Sequence, residues 1–272
     1  MNSPYLLSEP GLRRLADFCL QPALYAFDFD GTLAPIVQVP MEAQMGPSTR
    51  GWMDKLDLLA PVAVVSGRSV HDLGFLLHGF RPRYLVGNHG LEGTPSGEKM
   101  HAAAARMCSA WVGQLQQVLP ERLFREGVAL ENKTLSLTLH YRGARGHDQV
   151  RAEIAGLLKQ AETSGELQPA PRIIPGKDVF NLVPPGAPHK GNAVVELIEN
   201  AGFAQALYVG DDDTDEDVFR MQDPRILGIR VGAITGSAAD FYLHDLGEVD
   251  LLLSTLVSLL GKATLGAGTR VV

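Results

Sequence analysis

Two aspartates near the amino terminus are spaced so that both can act on one ligand. Asp28 and Asp30 occur in the stretch DFDGT, directly after the apolar run Ala23 to Phe27. Because side chains alternate along an extended strand, the two carboxylates project to the same side. Carboxylates so close together repel each other, and a cation or a shared proton is needed to hold both. The pair therefore predicts a site for a hard metal ion.

A second acidic cluster lies much later in the chain. The run Asp211 to Asp217 reads DDDTDED and follows the apolar run Ala206 to Val209. Such a run can be the solvated start of a helix, because carboxylates are favoured near helix amino termini. A calcium loop fits poorly, since its sixth and twelfth positions would be Glu216 and Gln222 where Gly and Glu are needed. If both acidic motifs end strands of one sheet, Asp211 is expected to share a Mg²⁺ ion with the first pair.

Two further short motifs offer groups that bind phosphate oxygens. Ser66 and Gly67 follow the apolar run Val62 to Val65, and a hydroxyl with backbone N–H groups at such a turn suits an anion. Lys190 precedes Gly191 at the start of a predicted helix and offers a positive charge. Either motif alone is typical of an ordinary turn or an exposed lysine. Their order together with the two acidic motifs indicates a phosphate site.

The elements that must position these residues alternate between strands and helices. Four short apolar runs are typical of strands buried on both faces, and they are Ala23 to Phe27, Val62 to Val65, Tyr84 to Val86 and Ala206 to Val209. Helical spacing appears between them, at 48–59 and at 191–201. The alternation predicts an α/β fold with a doubly wound, mostly parallel, Rossmann-like sheet, whose ligands bind beyond the carboxyl ends of the strands.

The middle of the chain has a different pattern. Two long helical segments, near 99–119 and 148–161, are each followed by two strand-like segments, and Pro175-Gly176 is a turn signal between the last two. At 135–141 leucines alternate with polar residues, as in an antiparallel strand. We predict a smaller α/β domain inserted into the core, in the position of a lid that selects the substrate. The predicted boundaries are 1–97 and 187–272 for the core and 98–186 for the inserted domain.

The overall composition excludes several classes of protein. A net charge of -7 disfavours nucleic-acid binding, which depends on many Lys and Arg contacts to phosphate. The chain contains no apolar run of about 20 residues and no signal-peptide pattern, so we expect no membrane contact and a cytoplasmic location. Cys19 and Cys108 are too few and too far apart for a disulfide framework or a zinc site. The tail from Gly266 to Val272 is expected to be mobile.

Together these motifs resemble those of the haloacid dehalogenase-like phosphatases, which carry DxDGT, then Ser, then Lys, then a Gly-Asp-Asp pair. Within that superfamily the chain is similar to the trehalose-6-phosphate phosphatase family in both predicted domains. The matching stretches are Ala26 to Leu33, Val64 to Arg68, Gly87 to Gly90 (GNHG), Leu135 to Arg142 (LSLTLHYR), His189 to Gly191 and Gly210 to Asp217 (GDDDTDED). The resemblance implies a Mg²⁺-dependent phosphatase acting on a phosphorylated sugar, trehalose 6-phosphate, with the inserted domain as its cap.

The resemblance also implies roles for the core residues. Asp28 is the expected nucleophile, which forms an aspartyl phosphate, and Asp30 the general acid and later the general base. Mg²⁺ is expected to bind Asp28, the backbone carbonyl of Asp30, and Asp211. Asp212 and Asp215 would position the metal's waters or the lysine. The residues expected to contact the phosphate oxygens are Ser66, Gly67 and Lys190.

Six further residues are expected to contact the substrate, and they are Arg68, Asn88, His89, Glu131, Lys133 and Asn181. By resemblance, Glu131 and Lys133 match cap residues that hold sugar hydroxyls, and Asn88 and His89 match a loop at the mouth of the site. Relatives typically carry Glu at the position of Asn181, which is associated with sugar recognition. Asn can still form a hydrogen bond with a hydroxyl, but it is shorter and uncharged.

Three alternative functions stay open at this point. One is another capped sugar phosphatase, for example one acting on sucrose phosphate. A second is a phosphomutase, which would return the phosphoryl group to a sugar hydroxyl instead of releasing inorganic phosphate. The third is a catalytically silent module that binds a sugar phosphate. Loss of Asp28, Asp30, Lys190 or Asp211 would mark such a module, and the sequence retains all four.

Overall fold

The structure of the protein is a computed structural model that describes residues 3–267 of the 272. The tail from Gly266 to Val272 was predicted to be mobile, and its residues 268–272 lie outside the described residues. The chain divides into two compact units, each of which has its own sheet. The core unit consists of Met1–Thr94 and His189–Val272, and the inserted unit consists of Pro95–Pro188.

The described residues form strands and helices in the following chain order. The strands are β1 (Ala23–Phe27), β2 (Val62–Val65), β3 (Tyr84–Val86), β4 (Ala129–Asn132), β5 (Leu137–His140), β6 (Arg172–Gly176), β7 (Val179–Val183), β8 (Gln205–Gly210), β9 (Ile226–Val231) and β10 (Phe241–Leu243). The helices are α1 (Glu9–Phe18), α2 (Pro47–Leu59), α3 (Val70–Leu76), α4 (Pro95–Glu98), α5 (His101–Val118), α6 (Glu121–Arg125), α7 (His147–Ser164), α8 (Lys190–Ala201), α9 (Glu216–Phe219) and α10 (Val249–Ala267).

The core unit is built on a six-stranded parallel sheet in the order β10-β9-β8-β1-β2-β3. Helices cover both faces of its central strands. In β1, Tyr25 and Phe27 pack with residues of α1, α2, α3 and α10, whereas Leu24 and Ala26 pack with residues of α8 and α9 on the other face. This architecture confirms the predicted α/β fold with a doubly wound, mostly parallel sheet. Strands β9 and β10 and helices α1 and α10 were not among the predicted elements.

The strand order brings three of the predicted motifs to one edge of the sheet. Strand β1 lies between β8 and β2, and all three run in the same direction. Asp28 follows β1, Ser66 follows β2 and Asp211 follows β8. Residues that are far apart in the sequence therefore meet at the carboxyl ends of adjacent parallel strands, where ligands bind in open α/β sheets.

The inserted unit has a four-stranded antiparallel sheet in the order β4-β5-β7-β6. Leu137 and Leu139 of β5 pack with Trp111 of α5 and Ile154 of α7 in one apolar core. The alternate residues of β5, including Thr138, lie on the opposite face of the sheet. The period-two pattern of leucines in the sequence thus corresponds to a strand with one face on the helices.

The turn between β6 and β7 lies later than predicted. Pro175 and Gly176 belong to β6 and pair with residues of β7, so the prediction of a Pro-Gly turn is wrong. The chain reverses at Lys177 and Asp178 instead, and Asp178 adopts the left-handed conformation with a φ of 65°. Aspartate tolerates this conformation better than most residues, which explains how a turn forms here without glycine.

Two further findings concern the membrane and the cysteines. Among the helices in the described part of the chain, none combines the length and the apolar character that crossing a bilayer requires. Cys19 and Cys108 are both buried and free. Burial raises the pKa of the Cys108 thiol to about 11, so this thiol is protonated and unreactive at neutral pH.

Candidate active site

Three buried carboxylates meet at the carboxyl edge of the core sheet. Asp28, Asp211 and Asp215 each place one carboxylate oxygen within 4.8 Å of the others, and all three residues are buried. The backbone N–H of Asp28 donates to the carbonyl of Val209 at 2.9 Å, which extends the β1–β8 pairing into the site. The structure thus brings together Asp28 and Asp211, the two acidic residues for which the sequence predicted a shared ion.

Gly31 makes the close approach of the two acidic motifs possible. Its φ is +82°, and a Cβ atom at this position would lie 2.1 Å from Oδ2 of Asp211. A side chain here would both strain the backbone and displace the carboxylate. The next residue, Thr32, donates from its hydroxyl to Oδ1 of Asp211 at 3.4 Å. The glycine of the DFDGT motif is therefore required by the packing of one acidic motif against the other.

Lys190 is the cation of this cluster. Its Nζ atom lies 3.0 Å from Oδ1 of Asp28 and 2.8 Å from Oδ1 of Asp215, and the residue is only 2% exposed. A capping box places it at the start of α8, because Nδ1 of His189 accepts from the N–H groups of Gly191 and Asn192 while Asn192 accepts from the N–H of His189. Burial alone would lower the pKa of Lys190, but Asp215 and Asp28 raise it, so the side chain is an ammonium.

The carboxylate of Asp215 has all its acceptor positions filled by donors of the protein, which leaves none for a metal ion. Its Oδ1 accepts from Lys190 and, at 2.6 Å, from the hydroxyl of Tyr208. Its Oδ2 accepts from the backbone N–H groups of Asp211 and Asp212, both at 2.8 Å. A carboxylate offers about four acceptor positions, and these four donors occupy them. Burial would raise the pKa of Asp215, but Lys190 and the hydrogen bonds lower it, so Asp215 is an ionised support for the lysine and the loop.

The charges of the cluster do not balance without a further cation. Burial raises the pKa of Asp28 well above its usual range, and although Lys190 opposes this, the nearby Asp215 and Asp211 add to it. Among the described side chains, Lys190 shares its one positive charge between Asp28 and Asp215, and Asp211 adds a third carboxylate to the same buried site. Oxygen ligands with excess negative charge are the set that a hard divalent cation prefers. The residues present therefore fit a metal ion held by Asp28 and Asp211.

Asp30 is held by an arginine instead of joining the carboxylate cluster. Nε and Nη2 of Arg68 donate to the two carboxylate oxygens of Asp30 at 2.6 and 2.7 Å. The side chain of Asp30 is 32% exposed, compared with 6% for Asp28. Two parallel hydrogen bonds from a planar guanidinium fix the orientation of a carboxylate. Arg68, predicted as a substrate contact, is thus the residue that orients Asp30 in this structure.

The loop from Ser66 to Arg68 is supported by the GNHG segment. Ser66 is buried and its hydroxyl accepts from the backbone N–H of Arg68 at 3.2 Å. The backbone N–H of His89 donates to the carbonyl of Ser66, and that of Asn88 to the carbonyl of Arg68. A Cβ on Gly67 would lie 2.5 Å from Cε1 of His89. Asn88 and His89 are themselves buried, and their part as substrate contacts stays a prediction.

The predicted sugar contacts lie on the sheet of the inserted unit. Oε2 of Glu131 lies 2.7 Å from Nε2 of His140 and 3.8 Å from Nζ of Lys133. Asn181 is buried, and its Oδ1 accepts from the hydroxyl of Thr138 at 2.8 Å. Asn181 is the cross-strand partner of Thr138, which in turn pairs with Glu131. Glu131, Thr138 and Asn181 therefore form a row across the adjacent strands β4, β5 and β7.

Sequence reasoning missed three residues that support the site. Tyr208 donates to Asp215, and Arg230 donates to the backbone carbonyls of Asp211 and Asp212 while it pairs with Glu216. A tyrosine in a strand is typical of core packing. An arginine within an otherwise apolar strand was the one signal that could have been followed, because a charge in such a position requires partners.

The excess of negative charge predicts how Asp28→Asn changes the stability of the metal-free protein, measured in the presence of EDTA. We expect this variant to have a higher free energy of unfolding than the parent at neutral pH. The native pKa of Asp28 lies above the unfolded one, so its ionisation costs native stability as the pH rises between the two values. The gain should therefore vanish in acid, where Asp28 is protonated in both states. Urea denaturation at several pH values measures it.

Asp213→Asn is the matched control for that measurement, because Asp213 is an exposed member of the same acidic run. Its effect should stay within about 0.5 kcal/mol, as is usual for surface substitutions. A lower stability of Asp28→Asn than of the parent in EDTA would show that the cluster is balanced without a metal ion.

Comparisons with known proteins agree in one family. The sequence matches the profile described as trehalose-phosphatase over residues 26–244. The trehalose-phosphate phosphatase of Mycobacterium tuberculosis (strain ATCC 25618 / H37Rv) is 34% identical over 214 residues, which cover 75% of this chain and 52% of that protein. A probable trehalose-phosphate phosphatase G of Arabidopsis thaliana is 28% identical over 261 residues, which cover 85% of this chain and 67% of that protein. The chain thus spans about half the length of the mycobacterial relatives it matches.

Solved structures show the same fold. The C-terminal domain of the C. albicans trehalose-6-phosphate phosphatase superposes with a TM-score of 0.74 at 22% identity, covering 96% of this chain and 99% of that one. The Aspergillus fumigatus trehalose-6-phosphate phosphatase, in crystal form 3, has a TM-score of 0.62 at 22% identity, covering 96% and 99%. At these identities the likeness establishes the fold alone.

Proposed function

The chain belongs to the trehalose-phosphatase family, and from this premise we propose that it hydrolyses trehalose 6-phosphate to trehalose and inorganic phosphate. One observation carries the proposal. Asp28 and Asp211 lie side by side at the carboxyl edge of the sheet, with the ammonium of Lys190 at 3.0 Å from Asp28. This is the set of groups that a carboxylate nucleophile needs to act on a phosphate.

In the first step, a carboxylate oxygen of Asp28 attacks phosphorus in line with the bond to the sugar. The bond from phosphorus to the sugar oxygen breaks as the aspartyl phosphate forms. Asp30, as a carboxylic acid, donates its proton to the departing oxygen and becomes the carboxylate that Arg68 holds with two hydrogen bonds. Lys190 and the Ser66-Gly67 loop would contact the phosphate oxygens.

In the second step, water hydrolyses the intermediate. Asp30, now ionised, takes a proton from the water, whose oxygen forms a bond with phosphorus. The bond from phosphorus to Asp28 breaks, which releases inorganic phosphate and restores the free carboxylate. Asp30 is suited to exchange protons with sugar and water, because it is partly exposed whereas Asp28 is buried.

Mg²⁺ is the proposed cofactor. Asp28, the backbone carbonyl of Asp30, and Asp211 would hold it, while Asp212 would orient its waters and Asp215 would orient Lys190. When bound, the ion would neutralise negative charge on the phosphate oxygens and on Asp28. The donor set consists of oxygens only, which favours a hard cation over zinc or copper.

The inserted unit is proposed to select the substrate. The core supplies only phosphate chemistry, so discrimination between sugars must come from other residues. Glu131 and Lys133 offer an acceptor and a donor for sugar hydroxyls on the polar face of the inserted sheet. Asn181 lies in the same row of residues and is their proposed companion.

The proposed activity predicts a defined response to a panel of sugar phosphates. Trehalose 6-phosphate with Mg²⁺ should release inorganic phosphate faster than sucrose 6-phosphate or glucose 6-phosphate. Asp28→Asn should lower kcat by at least about 1000-fold, because the variant lacks the nucleophile. A colorimetric phosphate assay measures both, and omission of Mg²⁺ should also suppress release.

The same panel separates the alternatives. Formation of an isomerised sugar phosphate without free phosphate would indicate a mutase. Equal rates on many sugar phosphates would exclude trehalose 6-phosphate as the specific substrate but leave the phosphatase chemistry intact. Release that is unchanged in Asp28→Asn would exclude Asp28 as the nucleophile. Asp213→Asn, an exposed change of the same kind, should leave the rate unaltered.

Asn181→Glu tests the sugar-contact proposal in the inserted unit. A carboxylate forms stronger hydrogen bonds with hydroxyls than an amide, by about 1 kcal/mol. We therefore expect the KM for trehalose 6-phosphate to fall about fivefold, with kcat for p-nitrophenyl phosphate unchanged. Asn181→Gln adds the length without the charge and is the control. An unaltered KM in Asn181→Glu would show that this position does not contact the sugar.

A further inference from the structure

One member of the acidic run, Glu216, has no part in the proposed chemistry and yet is buried. It is the first residue of α9 and only 2% exposed. Its Oε1 lies 2.9 Å from Nη1 of Arg230, and its Oε2 accepts from the backbone N–H of Ala238 at 3.0 Å. The run DDDTDED therefore does more than begin a helix, because this carboxylate orients a buried arginine.

Arg230 reaches the loop that carries the proposed metal ligand. It lies at the end of β9, opposite Gly210, the last residue of β8. Its Nη2 donates to the carbonyl of Asp211 at 2.7 Å, and its Nη1 donates to the carbonyl of Asp212 at 3.2 Å. One guanidinium thus contacts two successive carbonyls of the loop and the carboxylate of Glu216.

The peptide group between Asp211 and Asp212 is held on both sides. Its carbonyl accepts from Arg230, and its N–H donates to Oδ2 of Asp215. The N–H of Asp211 donates to the same Oδ2. These bonds at both the N–H and the carbonyl fix the backbone of Asp211, and the backbone sets the position from which its carboxylate reaches Asp28.

Stability alone does not explain a buried ion pair at this position. Removing two charges from water costs several kcal/mol, and an apolar pair of similar volume is often equally stable. A guanidinium, in contrast, is planar and presents five donors in a fixed arrangement, which suits two carbonyls and a carboxylate at once. The pair of Arg230 and Glu216 is therefore better explained by the geometry it imposes on the loop.

We propose that Arg230, oriented by Glu216, is a positioning residue for metal binding, which keeps the carboxylate of Asp211 beside that of Asp28. The inference rests on the proposed function, because the ion concerned is the proposed cofactor. Arg230 does not touch the reacting atoms in this scheme. Its loss should weaken metal binding while the sugar contacts remain.

The test is a titration of the metal-free full chain with Mn²⁺, followed by the electron paramagnetic resonance signal of the free ion. Mn²⁺ serves as the probe because it also prefers oxygen ligands. Arg230→Met should weaken binding about 10- to 100-fold, which is the usual cost of losing a residue that orients a ligand. Arg225→Met is the matched control, since Arg225 pairs with two carboxylates at the surface, and its Kd should stay within about twofold of the parent.

A second variant and a kinetic measurement complete the test. Glu216→Gln keeps an acceptor for the backbone N–H of Ala238 but removes the charge that pairs with Arg230. This variant therefore tests the proposal even if Arg230→Met does not fold. Mn²⁺ binding that is weaker by about threefold or more in Glu216→Gln supports the proposal. In a folded Arg230→Met protein, higher Mg²⁺ should restore kcat, with the KM for trehalose 6-phosphate unchanged. Folded variants with the Mn²⁺ affinity of the parent would overturn the inference. Because no sugar is present in the titration, its result does not depend on whether the parent releases phosphate.

Discussion

The repulsion among three buried carboxylates is the constraint on which the rest of the core site depends. Asp28, Asp211 and Asp215 each place a carboxylate oxygen within 4.8 Å of the others, and the ammonium of Lys190 contacts two of them, Asp28 and Asp215. Such a cluster costs free energy unless each carboxylate has a cation or several donors. Burial raises the pKa of Asp28 well above its usual range, and Lys190 alone does not offset it, whereas Asp215 has four donors that hold its pKa low.

The fold meets this constraint with elements that are distant in the sequence. Adjacent parallel strands bring Asp28 and Asp211 together, and Gly31 allows the contact between their loops. A capping box on α8 directs Lys190 into the cluster. The remaining negative charge is what a divalent metal ion would neutralise, so the same imbalance that destabilises the metal-free site would provide its affinity for a cation.

The sequence predicted the parts of this arrangement that have a local signal. The strand before Asp28 and the strand before Asp211 are apolar runs that end in acidic residues, and the parallel fold follows from their alternation with helices. The bonds that position the loop were not predictable in this way. Arg230 lies in an apolar strand, and its partner Glu216 looks like any other acidic residue at a helix start. The turn at Lys177 and Asp178 was likewise missed, because Pro-Gly next to it is a stronger turn signal.

The most direct measurement of the central claim is the anomalous scattering of crystals soaked with Mn²⁺ in place of Mg²⁺. The account predicts one strong anomalous peak at the carboxyl edge of the core sheet, in contact with carboxylate oxygens of both Asp28 and Asp211, and none against Asp215, whose acceptor positions are filled. A peak in contact with only one of Asp28 and Asp211, or one located elsewhere, would contradict it.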